Sequence, residues 1–146
     1  MKRKIKNKDL EEILMNVVHL GTYPMPGDLT LAVIDTRKKL KAAFETYTDA
    51  CKQIGESRCE KDAQGQPLTV FQKDPQGKDL LDYPKKLKFA DAVSEAAALV
   101  ELKKLGEQEV EIEVKELDRS VLEGLKNITP VQMEALTALI ELVDTN

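Results

Sequence analysis

The chain has 146 residues, a net charge of −4 and 33% charged side chains, with three Phe, three Tyr and no Trp. This length suits one domain with a modest core, and the composition is typical of a helical protein built on aliphatic side chains. The acidic balance argues against nonspecific DNA binding as a main activity, because that binding needs an excess of cations that neutralise phosphates. Basic runs such as RKKLK and PKKLK are interpreted as solvated faces.

Cysteine and histidine usage argues against a structural metal site. Cys51 and Cys59 match no zinc-binding spacing, and His19 is the single histidine. The basic N-terminus does not lead into an apolar run of signal-peptide type, and no stretch is long enough to span a bilayer. We expect a cytoplasmic protein with reduced thiols, no cofactor and no membrane partner.

A short basic strand and an amphipathic helix are the first predicted elements. Residues 2–6, KRKIK, alternate briefly, and Asn7 is in the position of an N-cap. The helix ends in HLGTYPMPGD, where Gly21 is one of several Gly and Pro residues that interrupt helices. His19 would place a cation at its C-terminal end.

A long helix is predicted next, from about Leu29 to Ile54, with Gly55 as its stop. Residues three and four positions apart form an apolar seam along it, and one cation, Arg37, interrupts that seam. The other members of the seam are Val33, Leu40, Phe44, Tyr47, Cys51 and Ile54. Cys51 is therefore expected to be a buried structural thiol.

Residues 56–82 are predicted to be an irregular or β-hairpin tip, with the turn sequences AQGQP and DPQGK around the strand-like LTVF. Pro84 suits the first turn of a third helix that continues to Leu105. The long helix and this third helix are expected to pack as an antiparallel hairpin.

The clearest strand pattern is EVEIEV, within residues 109–115, with aliphatic residues on one face and glutamates on the other. The acidic face complements residues 2–6, so a small sheet between these two segments is expected. Asp118 is predicted to cap a short helix, and TPVQ to form a capping box at the last helix. Residues expected to be buried by that helix are Val131, Leu136, Leu139, Ile140 and Val143. The predicted fold is α+β, mostly α, in one domain over residues 1–146.

Arg37 is the least expected residue of the seam, because a buried cation needs an anion or incurs a large desolvation cost. One interpretation is an ion pair with Asp35, Glu45 or another helix, or a side-chain stem over the seam with its guanidinium in water. A second is a register device that sets the oligomer state. The third is an anion site, with Tyr23 providing a ring for a base. The candidate ligand-binding residues are Tyr23, Thr36, Arg37, Lys38 and Lys41.

No catalytic residue is predicted. LGTYPMPGD lacks the spacing of a phosphate-binding loop, and Cys51 has no evident base. We therefore expect a protein that is not an enzyme.

Three motifs in the chain resemble those of a family of small bacteriophage and prophage proteins of unknown function. The family has an EKDENG-type turn, matched here by Glu60, Lys61, Asp62 and Gly65. Its VEIEI strand and LTPxxLxxLxxLIE ending are matched by residues 110–117 and 128–141. The resemblance implies a phage origin and carries over no catalytic residue.

Phage origin implies two binding functions. The first is a homo-oligomeric sponge that sequesters a nucleotide-derived immune signal of the infected bacterial cell without cleaving it, as an anti-defence protein. It would use cationic and aromatic groups at a subunit interface. The second is a morphogenesis or accessory interaction protein, such as an assembly chaperone, in which the seam sets the oligomer state. Neither function requires sequence-specific nucleic-acid binding.

Overall fold

Residues 1–20 and 23–144 are described by the computed structural model, and they form an α+β fold that is mostly helical, as predicted. The α-helices in this part of the chain are α1 (Leu10–Val17), α2 (Gly27–Arg58), α3 (Ala92–Glu107) and α4 (Pro130–Leu139). The strands are β1 (Lys2–Lys6), β2 (Thr69–Val70), β3 (Lys86–Leu87), β4 (Glu109–Glu113), β5 (Lys115–Asp118) and β6 (Ile140–Val143). Gly21, which we expected to help end the first helix, lies outside the described residues.

Contacts between residues divide the chain into two compact units, the first with residues 1–47 and 106–146 and the second with residues 48–105. The main hydrophobic core belongs to the first unit. Its fully buried aliphatic side chains are Leu10, Leu29, Leu40, Leu136, Leu139 and Ile140. Burial of each such side chain contributes roughly 1.5–3 kcal/mol. The single domain expected over residues 1–146 stays a prediction.

Strands β1 and β4 pair antiparallel, which confirms the sheet predicted from their charges. Lysines of β1 lie opposite glutamates of β4, in the pairs Lys2–Glu113, Lys4–Glu111 and Lys6–Glu109. On the other face, Ile112 is buried and lies opposite Arg3. The register therefore keeps the cross-strand charge pairs on the solvent side of the sheet.

The C-terminal residues form a strand where a helix was predicted. Helix α4 ends at Leu139, and β6 then pairs parallel with β5, with Ile140 opposite Lys115. Ile140 and Val143 are β-branched and gain strand partners there, which outweighs the helical spacing of the sequence. Val131 was also expected to be buried, but it is exposed.

Two predicted helix caps are confirmed. The Thr129 hydroxyl accepts a hydrogen bond from the N–H of Gln132, and the Gln132 side chain accepts one from the N–H of Thr129. The carboxylate of Asp118 accepts a hydrogen bond from the N–H of Ser120 at the start of the short helix that follows. Each cap stabilises its helix by about 1 kcal/mol.

Two helix boundaries differ from the prediction, one at the start of α1 and one at the end of α2. Asn7 does not cap α1, because it begins the 3-10 turn Asn7–Asp9 and Asp9 is at the N-cap position of the helix. The backbone N–H of Asn7 donates to the carbonyl of Gln108 at 2.9 Å. Gly55 does not stop α2, which continues beyond it. Gly55 is buried, and a Cβ at this position would lie 2.7 Å from Cδ1 of Leu87. The glycine therefore permits a close contact inside the helix.

Two turns with the sequences KDAQG and KDPQG follow each other in the second unit. In each turn the aspartate carboxylate, Asp62 or Asp74, accepts hydrogen bonds from two backbone N–H groups at 2.8 or 2.9 Å. Gly65 and Gly77 have φ values of 79° and 86°, which glycine adopts without strain. The segment predicted to be an irregular or hairpin tip is therefore built from two ordered turns.

Helix α3 begins at Ala92 and not at Pro84, as was predicted. The chain before it is extended in β3, which pairs antiparallel with β2. The carboxylate of Asp91 marks the helix start, because it accepts a hydrogen bond from the N–H of Ser94 at 2.8 Å. Hydrogen bonds from Ser94 lower the pKa of Asp91.

An ion pair joins α2 to α3 within the second unit. The guanidinium of Arg58 donates a hydrogen bond to the carboxylate of Glu101. That hydrogen bond lowers the pKa of Glu101 and raises the pKa of Arg58. Ala98 of α3 is buried, and its small side chain leaves room for close packing.

Candidate functional site

The buried row of α2 passes through Thr36 and not through Arg37. Thr36 is 0% exposed, with buried Val33 and Leu40 on either side of it, whereas Arg37 is exposed. The predicted seam is therefore wrong at this position. Enclosing a guanidinium without an anion would cost several kcal/mol, so the core closes over the small Thr36 side chain instead.

Arg37 and Tyr23 line one small cleft of about 240 Å³ in the first unit, the Tyr23–Arg37 cleft. The rest of its lining is mainly apolar. These lining residues are Val17, Leu20, Met25, Thr30, Val33 and Ile34. The structure thus places a cation and an aromatic ring, both candidates from the sequence, beside an apolar wall.

Tyr23 is fixed by hydrogen bonds at both ends. Its backbone N–H donates to the carbonyl of Leu20 at 2.8 Å, and its hydroxyl donates to the carbonyl of Lys126. The side chain is half-buried. The hydroxyl already donates its hydrogen, so it offers a ligand no further donor, whereas the ring lines the cleft.

A second cleft of about 530 Å³, the Lys38 cleft, lies next to the first. Ile34 lines both clefts, so they are neighbours on the surface of α2. Lys38 and Lys115 contribute two ammonium groups to the Lys38 cleft, and Asp28 and Asp35 contribute two carboxylates. Lys115 was missed by sequence reasoning, because no local pattern indicates that strand β5 would meet α2.

The other two candidates do not belong to either cleft. Lys41 is exposed and lines neither of them. Thr36 is buried, and its hydroxyl is without a hydrogen-bond partner within the described part of the chain. Of the five candidates, the structure therefore brings together Tyr23 and Arg37, and places Lys38 in the neighbouring cleft.

Arg37 forms no ion pair with any carboxylate of residues 1–20 and 23–144. Asp35, one of its expected partners, pairs instead with Lys39 at 3.0 Å across one helical turn. Glu45, the other expected partner on α2, is exposed. The ion pairs expected for Arg37 with Asp35 or Glu45 are therefore not formed within the described part of the chain.

The histidine and the cysteines lie outside the Tyr23–Arg37 cleft. His19 is exposed in a 3-10 turn after α1, near the helix end where it was predicted. Cys51 is half-buried, not buried as expected, and Cys59 is the more buried thiol. Among the described residues, no group of three or more His, Cys, Asp or Glu side chains could hold a metal ion. The lining of the Tyr23–Arg37 cleft consists of a guanidinium, an aromatic ring, one hydroxyl and apolar side chains.

No helix within the described ranges has both the length and the apolar character needed to cross a bilayer. Comparisons with protein-family models, with curated proteins and with solved structures found no match to this chain.

Proposed function

We propose that the protein is a non-enzymatic binding protein that sequesters a nucleotide-type anion in the Tyr23–Arg37 cleft. The observation that carries this proposal is the combination of the ring of Tyr23 with an exposed Arg37 guanidinium, which has no ion-pair partner among the described residues, along one cleft. A guanidinium presents a planar fork of donors that matches a phosphate, and it remains charged at every physiological pH. An aromatic ring and aliphatic side chains suit the flat, apolar faces of a nucleobase.

The size of the cleft sets a limit on what one copy can enclose. At about 240 Å³ it is smaller than the ~300–1,000 Å³ typical of ligand pockets. A single phosphate with part of a nucleoside fits this space, whereas a cyclic dinucleotide would extend into the Lys38 cleft past Ile34. There Lys38 and Lys115 would meet its second phosphate.

Self-association is part of the proposal, because exposed apolar side chains lie in the first unit. Leu31, which is 69% exposed, lines the Lys38 cleft, and Met15 and Val18 are also exposed. A second copy that covered Leu31 would bury apolar surface and close the open side of a bound ligand. Arg37 would then act at an interface, as the sponge hypothesis requires.

The biological setting of the proposal is anti-defence by a phage or prophage in the bacterial cytoplasm. Such a protein holds an immune signal intact, so the free concentration of that signal stays below the level that activates the host effector. Tight binding without turnover is sufficient for this role.

The experiment is a retention assay with cyclic di-AMP and cyclic ADP-ribose. The purified protein is incubated with each compound, separated from free ligand, and heat-denatured, and the released compound is identified by mass spectrometry. We expect intact release from the wild type and from Lys41→Ala, and at least tenfold less from Arg37→Ala. Lys41→Ala is the matched control because it removes the same charge one turn further along α2, outside the clefts. Release of a cleaved product would contradict the non-enzymatic proposal, and retention of neither compound would remove these signals as ligands.

A second candidate function, an assembly or accessory interaction protein, is favoured by the exposed side of α3. Val93 and Val100 are 78% and 54% exposed, and Leu99 and Ala96 on the same side are also exposed. Such an apolar surface suits contact with another protein. Under this alternative, Arg37→Ala would leave partner binding intact, whereas Val93→Ser with Val100→Ser would abolish it.

A further inference from the structure

A third cleft, of about 610 Å³, belongs to the second unit and shares no residue with the Tyr23–Arg37 cleft. Thr69 and Val70 of β2 and Lys86 of β3 line it together with Phe71. Lys73 and Lys85 add two further ammonium groups. The PKKLK run, which the sequence presented as a solvated face, thus supplies two of the three cations of a concave surface.

The positive charge of this cleft is only partly compensated. Asp79 is the one carboxylate in its lining, against three lysines. Within the described residues, none of these lysines forms an ion pair with a carboxylate, whereas nearby Lys88 pairs with Glu60 at 3.1 Å. The cleft therefore favours an anionic ligand.

The shape and chemistry of the cleft favour a peptide over a nucleobase. The Lys85 ammonium lies over the Phe71 ring, 4.6 Å from its centroid, so that face is already covered. Val70 and the remaining surface of Phe71 suit an aliphatic side chain. Strands β2 and β3 form a two-stranded sheet, and such a sheet has open edges along which an extended peptide can pair.

Hydrogen bonds order the backbone next to the residues that line the cleft. The amide nitrogen of the Gln72 side chain donates to the carbonyl of Pro84 at 2.8 Å, and the N–H of Leu80 donates to the carbonyl of Gln72 at 2.7 Å. The carboxylate of Asp74 holds the turn that follows Lys73 through two backbone N–H groups. A backbone that is already ordered reduces the entropy lost on association.

From these observations we infer that the cleft docks an extended acidic segment of a partner protein, in which carboxylates alternate with aliphatic side chains. The carboxylates meet Lys73, Lys85 and Lys86, and an aliphatic side chain between them contacts Val70 and Phe71. This site is independent of the nucleotide-type ligand proposed for the first unit.

The repeated turn provides a matched control for the test. Lys61 in the turn KDAQG corresponds to Lys73 in KDPQG, but only Lys73 lines the cleft. Lys78 follows Lys73 in the same turn and also lies outside the lining. The variants Lys73→Glu with Lys86→Glu and Lys61→Glu with Lys78→Glu therefore change the net charge equally and differ only in position.

The experiment measures fluorescence anisotropy of a fluorescein-labelled peptide with eight alternating Glu and Val residues. We expect the wild type and the variant Lys61→Glu with Lys78→Glu to bind the peptide saturably. The variant Lys73→Glu with Lys86→Glu should bind it at least tenfold more weakly. A peptide of alternating Glu and Gly residues should bind the wild type more weakly than the Glu-Val peptide does. Equal thermal midpoints of the two variants establish that both fold. The inference is overturned by no binding of the Glu-Val peptide, by equal losses in both variants, or by tighter binding of an eight-residue oligothymidylate than of the peptide.

Discussion

The guanidinium of Arg3 lies 2.6 Å from the carboxylate of Glu141, and the two residues come from opposite ends of the sequence. The same guanidinium donates hydrogen bonds to the carbonyls of Thr137 at 2.6 Å and Ile140 at 2.7 Å. These carbonyls lie where α4 ends and β6 begins, so Arg3 satisfies acceptors that the helix leaves without partners. A residue of β1 thus holds the C-terminal strand in place.

Replacing Arg3 with Ala is expected to lower the free energy of unfolding by about 2–3 kcal/mol, because the loss leaves a carboxylate and two carbonyls without their charged donor. Arg3 and Glu141 are only 24% and 30% exposed, so water replaces these bonds incompletely. Urea unfolding monitored by circular dichroism measures the change. Lys4→Ala on the same strand is the control, with an expected effect below about 0.5 kcal/mol. Equal effects of the two substitutions would contradict this role of Arg3.

Thr36→Val is expected to stabilise the protein by about 1 kcal/mol, since it removes a buried hydroxyl that has no hydrogen-bond partner in the described part of the chain and keeps the side-chain volume. Thr46→Val is the control in the same helix, because the Thr46 hydroxyl is exposed and donates to the carbonyl of Ala42. Urea unfolding of both variants makes the comparison. A marked loss of stability in Thr36→Val would show that its hydroxyl is satisfied.

The pH dependence of stability should contain a contribution from Glu107. Hydrogen bonds from Lys6 and Lys8 lower the pKa of Glu107 from 4.5 to about 2. Because the pKa is lower in the folded state, the ionised carboxylate stabilises the protein above its unfolded-state pKa. That contribution is lost as the pH falls through the interval from about 4.5 to about 2.

Glu107→Gln should therefore show a shallower loss of unfolding free energy with falling pH in this interval. Glu123→Gln is a suitable control, because Glu123 is also exposed and forms no ion pair in the described residues. If the unfolding free energy of the wild type and of Glu107→Gln fell equally with pH in this interval, the contribution of Glu107 would be refuted.

The register of β1 and β4 determines which charges lie directly opposite each other, and Glu111 also lies diagonal to Lys2, with its carboxylate 3.8 Å from the Lys2 ammonium. Lys4 lies opposite Glu111, so the charge reversals Lys4→Glu and Glu111→Lys should each destabilise the sheet, and their combination should recover about 0.5 kcal/mol. A double-mutant cycle measured by urea unfolding gives this coupling energy. The cycle of Lys4 with Glu113, which lies opposite Lys2, should give a smaller value. A larger coupling energy for Lys4 with Glu113 than for Lys4 with Glu111 would mean that the strands pair in another register.

Local patterns predicted much of the fold. The alternation of residues 109–113, the cap of Asp118 and the capping box at Thr129 each depend on neighbouring residues, and the structure confirms them. Failures occurred where a distant partner decides the outcome. Residues 140–143 form a strand because they pair with β5, and Gly55 lies inside a helix because Leu87 approaches it.

In the candidate site, too, local sequence patterns predicted some features, and distant contacts determined the others. Helical spacing predicted Arg37 in the buried row of α2, whereas the structure has Thr36 there, a position that fits a repeat of three and four equally well. The tertiary fold makes that choice through desolvation of the charged side chain. The meeting of Tyr23 with Arg37 was expected from their proximity in the sequence, whereas the neighbouring Lys115 depends on a long-range contact.

The most direct test of the Tyr23–Arg37 cleft uses the three tyrosines of the chain as reporters. In protein with ¹³C-labelled tyrosine rings, NMR resonances assigned by single Tyr→Phe variants are followed while cyclic di-AMP or cyclic ADP-ribose is added. We expect a saturable shift of the Tyr23 ring resonances with no change at Tyr47 and Tyr83. The shift should be retained in Lys41→Ala and lost in Arg37→Ala. Binding that leaves the Tyr23 ring resonances unmoved, or that persists unchanged in Arg37→Ala, would contradict binding in the Tyr23–Arg37 cleft.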